Sequence, residues 1–206
     1  MSHNLGEPLD SLLQRAGKGD QQAQAELLDR YRERLKRMVA IRLDKRVAVR
    51  VDASDIVQET MHDAHQRLPE YLSDPQIPFF PWLRRIAWDR LTDLHRMHID
   101  AARRSVLREH TWAAGLSDES LVELAHGIVT SSIVPSRRAE KAEVEARIQA
   151  SLLELNPPDR EILILRYLEQ MSVAEIATEL GVSQTVVTSR HLRALQRLRR
   201  LLGSDL

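Results

Sequence analysis

The sequence predicts an all-α protein in which two small helical domains are joined by a flexible linker. Aromatic residues make up only 4% of the 206 residues and charged residues make up 29%. Leu, Ala, Arg and Glu dominate, whereas long β-branched runs are scarce, a composition typical of helical proteins. Apolar residues recur at helical spacing in two blocks, before residue 100 and after residue 139, with weaker periodicity between them.

The composition also excludes several classes of protein. The chain has no cysteine, which rules out a disulfide framework, a thiolate zinc site and a cysteine nucleophile, and fits a reducing compartment. The N-terminus lacks the apolar core of a signal peptide, and no apolar run approaches membrane-spanning length. We therefore expect a cytoplasmic protein without membrane insertion.

Charge is unevenly distributed although the formal net charge is zero, with 30 basic and 30 acidic residues. Residues 30–50 contain nine Lys or Arg and two acids, and residues 84–108 contain seven Arg and three Asp. The acids concentrate elsewhere, so we expect separate basic and acidic faces. Such a protein can contact DNA on one side and a protein partner on another.

The N-terminal block predicts three helices before a proline-rich segment. The first begins near Leu9, and the second covers residues 21–43 after a G-K-G-D break in which Asp20 is a candidate cap. This break lacks the Walker pattern, so a phosphate-binding loop is not indicated. A third helix runs from Asp52 to about Leu68.

The third helix leaves a polar face, which includes Asp55, Gln58 and Glu59, outside the core. His62 and His65 faintly suggest a metal site, but no fourth ligand lies nearby, and solvated histidines are the simpler interpretation. We find no metal-ligand set, cofactor motif or nucleophile–base–acid set. The sequence therefore predicts neither a cofactor nor an enzyme.

Residues 69–81 contain four prolines and predict a rigid, non-helical loop that carries Tyr71, Phe79 and Phe80. A helix from Trp82 to about His98 follows. Its aromatic residues alternate with arginines, and the relevant side chains are Trp82, Arg84, Arg85, Trp88 and Arg96. This composition suits a single-strand binding surface, although both tryptophans can equally belong to the core.

Residues 101–138 predict a linker with one short helix, roughly Asp118 to Ala125. From residue 139 onwards, two supporting helices and a helix-turn-helix predict a compact four-helix unit. The break between the supporting helices is N-P-P-D at residues 156–159, and the second of them covers Arg160 to Glu169.

The helix-turn-helix occupies Ser172 to Arg193. Ser172 and Glu175 form a candidate capping box, Gly181 stands where a left-handed residue must end the first helix, and Ser183 is a candidate cap for the second. No acid occurs between Gly181 and Ser204, whereas five arginines do. A short helix followed by a longer basic helix is typical of a major-groove reader, although an ordinary helical hairpin with a solvated basic face remains an alternative.

Several segments together resemble bacterial sigma factors of the sigma-70 class. They are D-A-S-D-I-V-Q-E-T (52–60), W-L-R-R-I-A (82–87) and L-N-P-P-D-R-E-I-L-I-L-R-Y (155–167), followed by the helix-turn-helix. The best match is the two-domain extracytoplasmic-function (ECF) subfamily, and P-F-F-P-W-L-R resembles planctomycete-type members. The resemblance implies region 2 in residues 1–100, a linker in 101–138 and region 4 in 139–206.

The family resemblance implies a non-enzymatic factor that binds core RNA polymerase and promoter DNA. By this resemblance, Asp55, Gln58 and Glu59 dock on the clamp helices of the polymerase β′ subunit, and the C-terminal domain sits on the β flap. Strand opening at the −10 element is implied for a set in region 2: Tyr71, Phe79, Phe80, Trp82, Arg84 and Arg85. The resemblance leaves open whether an anti-sigma factor is a further partner.

Contacts with the −35 element are implied for one set on the recognition helix: Thr185, Thr188, Ser189, Arg190, Leu192 and Arg193. The chain departs from the family pattern at Thr188, where many relatives carry a cation, at His191, where Leu or Ile is common, and at Asp89, which replaces a common Asn. These departures concern promoter choice. The alternatives are a helix-turn-helix regulator that does not recruit polymerase and a helical adaptor that binds only proteins.

Overall fold

The computed structural model describes residues 7–99, 118–132 and 147–202. All regular secondary structure within these ranges is helical, which confirms the predicted all-α class. The chain divides into two compact units, Met1–His98 and Ile99–Leu206. In the described ranges, no helix is both long enough and apolar enough to cross a lipid bilayer.

The N-terminal unit is a bundle in which the second helix packs against the first and the fourth. Its helices are α1 (Leu9–Gly17), α2 (Gln21–Arg42), α3 (Lys45–Ala48), α4 (Ala53–Ser73) and α5 (Phe79–Ile99). The Asp20 carboxylate accepts a 3.1 Å hydrogen bond from the Ala23 backbone N–H, which confirms Asp20 as the cap of α2. The Asp52 carboxylate caps α4 in the same way through the Ser54 N–H.

The core of this unit combines the apolar stripes of its long helices. Leu35 of α2, Leu68 of α4 and Leu83 of α5 are fully buried within one continuous cluster. The buried guanidinium of Arg42 lies over the Trp88 ring, 5.7 Å from its centroid, a favourable cation–π geometry. α5 is therefore held by apolar packing along its length and by a cation near its middle.

The predicted non-helical loop over residues 69–81 is wrong at both ends. α4 continues through Pro69 to Ser73, and α5 already begins at Phe79, so the connection is only residues 74–78. Pro81 lies in the first turn of α5, where backbone N–H groups have no intrahelical partner and proline costs little. At Pro69 the packing of α4 overrides the lost hydrogen bond, because neighbouring Leu68 and Tyr71 are buried in the core.

The C-terminal unit contains α6 (Asp118–Ser132), α7 (residues 147–154), α8 (Pro157–Leu163), α9 (Val173–Leu180) and α10 (Gln184–Leu202). A π-helical turn, Ile164–Leu168, extends α8. α10 packs against α8 and α9, and α6 packs against the π turn. Residues 118–132 of the predicted linker thus form a helix twice as long as expected, and this helix belongs to the C-terminal unit. The remainder of the linker, 101–117 and 133–138, lies outside the described residues.

The local geometry of the helix-turn-helix matches its prediction. The Ser172 hydroxyl accepts from the Glu175 N–H at 3.2 Å, and the Glu175 carboxylate accepts from the Ser172 N–H at 2.7 Å, which confirms the capping box. Gly181 is left-handed with φ of 63°. The Ser183 hydroxyl accepts from the Val186 N–H at 3.4 Å, so it caps α10 as predicted.

Candidate nucleic-acid interface

One side of α10 is exposed and the other is buried. Val187, Ala194 and Leu198 are at most 2% exposed and hold the helix to its unit. The opposite side presents five of the six residues predicted to contact the −35 element: Thr185, Thr188, Ser189, Leu192 and Arg193. Their spacing of three and four residues keeps them on one helical face. The structure therefore brings these five side chains together on a single accessible surface, which we call the α10 face.

The sixth predicted residue, Arg190, lies on the flank of α10. At 100° per residue it is rotated by roughly 140° from Thr185, and its side chain is half-buried. The exposed Gln196, Arg199 and Arg200 continue the α10 face towards the C-terminus instead. Helical periodicity alone can identify these three, because each lies three, four, seven or eight residues from a member of the face.

Two side chains of the α10 face are folded back along the helix. The Thr188 hydroxyl donates to the Gln184 carbonyl at 3.0 Å, and the Arg193 Nε donates to the Ser189 carbonyl at 3.3 Å. Both are single exposed hydrogen bonds, and such bonds contribute about 1 kcal/mol each. Rotation of either side chain towards a DNA groove is therefore inexpensive, and Leu192, which is 55% exposed, needs no rearrangement.

The aromatic residues predicted for strand opening are part of the N-terminal core. Tyr71, Phe79 and Phe80 are 8%, 3% and 1% exposed, and their rings contact one another or Tyr31. The Arg34 guanidinium covers the Phe80 ring at 3.5 Å from its centroid. These three rings cannot stack on an extruded base in this conformation. α4 and α5 extend far enough to bury all three rings, and their role in −10 opening stays a prediction.

The three remaining residues of this predicted set differ in exposure. Trp82 is half-buried and stacks on Tyr71 with 4.6 Å between ring centroids. Arg84 is only 3% exposed, and its guanidinium lies 5.1 Å from the Trp88 ring centroid. Arg85 is exposed. Arg85 and one edge of Trp82 are therefore the accessible members of the set.

The short connection between α4 and α5, residues 74–78, lies beside this aromatic cluster. Its exposed residues are Asp74, Pro75, Gln76 and Pro78. The Tyr71 hydroxyl donates a 2.9 Å hydrogen bond to the Ile77 carbonyl, and burial raises the pKa of this hydroxyl to about 12. The tyrosine thus remains protonated and anchors the connection. These residues lie within the predicted loop 69–81, but the predicted set of contact residues contained only the aromatic rings of that loop.

The polar face of α4 is exposed where it was predicted to be. Asp55, Gln58 and Glu59 all lie in solvent. Glu59 also forms a 3.0 Å ion pair with Arg90 of α5, and the same guanidinium forms an ion pair with Asp63 at 2.8 Å. Arg90 therefore joins α4 to α5 while it covers part of the Glu59 charge.

Comparison with known proteins agrees with this arrangement. Residues 145–198 match the family described as "Sigma-70, region 4". The chain is 33% identical over 197 residues to the RNA polymerase sigma factor NccH of Alcaligenes xylosoxydans xylosoxydans, which covers 95% of each chain. It is 30% identical to the RNA polymerase sigma factor CnrH of Cupriavidus metallidurans over 75% of each chain.

A further relative is the ECF RNA polymerase sigma factor SigD of Mycobacterium bovis, at 29% identity over 94% of this chain and 84% of the relative. Among solved structures, CnrH in complex with the cytosolic domain of CnrY aligns with a TM-score of 0.52 and 26% identity, over 97% of this chain and 100% of that chain. The identity to these sigma factors, the similar fold and the helix-turn-helix geometry agree. The chain belongs to the ECF group of sigma-70-class RNA polymerase sigma factors.

Proposed function

We propose that this protein binds core RNA polymerase and directs it to promoters, where its two units contact different DNA elements. The observation that carries the proposal is the α10 face, an acid-free polar and basic surface on a capped recognition helix. It occurs in a chain that resembles a sigma factor along 95% of its length. The protein contributes binding energy, without covalent chemistry of its own.

The α10 face is the proposed contact with the −35 element. Thr185, Thr188 and Ser189 lie near the N-terminus of the helix, where a recognition helix presents side chains to base edges in the major groove. Arg193, Arg199 and Arg200 follow on the same face and suit phosphates of the adjoining backbone. The absence of a cation at Thr188 removes a phosphate or a guanine contact, and a guanine contact is worth about 1–3 kcal/mol of discrimination.

The connection 74–78, with Arg85 and the exposed edge of Trp82, is the proposed contact with the opened −10 element. Extrusion of a base costs a few kcal/mol of stacking and pairing, so the protein must offer a preformed surface. The buried aromatic cluster supports that surface, because Tyr71 anchors the connection at Ile77 and also packs on Trp82. Arg85 is the exposed cation closest in sequence to Trp82, since Arg84 is buried, and it suits a phosphate of the single strand.

The exposed α4 face is the proposed contact with core polymerase, at the β′ clamp helices, and the C-terminal unit is the proposed contact with the β flap. Asp55, Gln58 and Glu59 offer an acidic surface to a basic partner. A protein that sequesters the sigma factor is a further proposed partner, because the related CnrH has been solved with the cytosolic domain of CnrY bound to it.

In-vitro transcription with purified core polymerase and a random promoter library tests the proposal. Wild-type protein should give initiation that depends on a selected −35 and −10 sequence. Asp55→Arg should reduce core binding and transcription while duplex DNA affinity remains unchanged. Asp55 suits this test better than Glu59, since a change at Glu59 would also break its ion pair with Arg90.

The matched control is Glu70→Arg, which reverses an exposed acid on the same helix, fifteen residues away. Equal loss of core binding in both variants would contradict the assigned surface. Sequence-specific duplex binding without any initiation would indicate a helix-turn-helix regulator instead of a sigma factor.

A further inference from the structure

α6 has a continuous buried side within the C-terminal unit, although it arises from the segment predicted to be a linker. Leu121, Leu124, Ala125 and Ile128 are at most 7% exposed, and the helix packs on the π-helical turn Ile164–Leu168. Val122 on the other side of the same helix is 47% exposed. α6 is therefore an amphipathic helix with one docked side, as expected for a structural part of the unit.

The docked α6 approaches Tyr167 closely at Gly127. A Cβ atom added at Gly127 would lie 3.4 Å from the Tyr167 Cβ and 3.8 Å from its Cδ1. Any side chain longer than alanine in that direction would collide with the ring. The α6 backbone at Gly127 therefore lies directly against the Tyr167 side chain, although glycine in the interior of a helix is unfavourable.

Tyr167 also contacts the recognition helix. Its hydroxyl and Nε2 of His191 share a hydrogen bond of 3.1 Å, and the two rings lie 5.7 Å apart. Tyr167 belongs to the π-helical turn, an irregularity that inserts an extra residue and occurs frequently at functional sites. One side chain thus touches α6 on one side and α10 on the other.

We infer that α6 helps to position the recognition helix, and that Gly127 and Tyr167 are the positioning residues for −35 reading. While α6 is docked, the Tyr167 ring rests against Gly127, and its hydroxyl shares a hydrogen bond with His191, which is half-buried on the flank of α10 beside Thr188. Detachment of α6 frees the ring and relaxes the orientation of the α10 face. The inference rests on the proposed function, since it concerns how well that face meets the −35 element.

The test uses the full-length protein with core polymerase, at a promoter chosen by the wild type. The measured quantity is transcription from the intact promoter divided by transcription from the same promoter with a scrambled −35 element. Leu124→Glu places a charge on the docked side of α6 and should reduce this ratio at least tenfold. Val122→Glu makes the matched change on the exposed side and should leave the ratio unchanged.

Tyr167→Phe keeps the ring against Gly127 and removes only the hydrogen bond to His191. Loss of a net contribution typical of one hydrogen bond predicts a decrease in the ratio of about two- to tenfold. Strand opening, measured by permanganate reactivity at a promoter that lacks a −35 element, should stay unchanged, because it depends on the N-terminal unit. Damage to the whole protein would lower both readouts.

Hydrogen exchange of α6, α8 and α10 distinguishes the outcomes. Lost protection in α6 with an unchanged −35 ratio would overturn the inference, as would an unchanged ratio in Tyr167→Phe. If Leu124→Glu also removes protection from α8, the whole unit has unfolded. The −35 ratio of Tyr167→Phe then decides whether the inference holds. A wild type that shows no −35 dependence would instead contradict the proposed function.

Discussion

A single helix carries the proposed −35 contacts, whereas the residues first assigned to −10 opening come from α4 and α5 and pack against each other. On α10, helical periodicity alone separates Val187 inside from Thr188 and Ser189 outside. Around Phe79, the side chain contacts Trp82 of its own helix and two rings from other helices, Tyr31 of α2 and Tyr71 of α4. A surface on one helix can be predicted from local spacing, but a surface at a junction depends on tertiary packing.

The largest expected effect distinguishes a core aromatic residue from one that stacks on DNA. Phe80→Ala should lower the free energy of unfolding of the N-terminal unit by about 3–5 kcal/mol, since it removes a buried ring. Arg85→Ala, five residues further along α5, should change stability by less than about 0.5 kcal/mol because its side chain is exposed. Chemical denaturation followed by tryptophan fluorescence measures both, since Trp82 and Trp88 lie in this unit.

The same pair of variants should reverse its order in a DNA assay. At a temperature where both proteins remain folded, Arg85→Ala should weaken strand opening more than Phe80→Ala. A stable Phe80→Ala protein that fails to open DNA would show that this ring reaches the bases after all.

A second, smaller effect concerns the α10 face itself. Arg193→Ala should reduce affinity for duplex −35 DNA by about 1–3 kcal/mol if the side chain contacts a base, and should lower the salt dependence of binding by about one ion if it contacts a phosphate. Arg190→Ala is the control from the helix flank and should have a smaller effect. Titrations of duplex DNA at several salt concentrations, with core polymerase present, provide the comparison.

Equal losses for Arg190→Ala and Arg193→Ala would mean that the DNA meets α10 on a face rotated towards Arg190. In that arrangement Thr188 would lie further from the groove, and its departure from the family pattern would no longer affect promoter choice.

Local signals in the sequence were sufficient for most helix ends. Asp20, Ser172, Gly181 and Ser183 act through bonds to residues three or four positions away, so their roles can be read from short motifs. The proline-rich segment misled the prediction because proline is costly only inside a helix. Pro81 stands in a first turn, and the cost at Pro69 is offset by burial of its neighbours.

The partner of a side chain in another part of the chain could not be predicted. Spacing within α4 placed Glu59 on the exposed face, but the ion pair with Arg90 joins residues 31 positions apart. Gly127 falls in the predicted linker, two residues beyond the predicted helix end at Ala125, and its ring partner Tyr167 lies 40 residues later. These contacts depend on how helices pack, and the residues that form them carry no local motif.

The smallest expected effect is the pH dependence of stability that arises from His191 on the flank of α10. Burial and the nearby Arg166 charge lower the pKa of His191 from its ordinary value of 6.5. The unfolded chain therefore binds a proton at higher pH than the folded unit, so stability should be fully present above about pH 6.5 and should decrease as pH falls below it.

His191→Gln should remove the part of this pH dependence that comes from His191, because glutamine does not titrate. The part that comes from other titratable groups should remain. Thermal unfolding between pH 5 and 8, followed by circular dichroism, measures the difference between the two proteins. An identical pH dependence in both would mean that the imidazole is not desolvated. The flank of α10 at position 191 would then be solvated, and the contrast between the exposed α10 face and its packed flank would be weaker than the structure indicates.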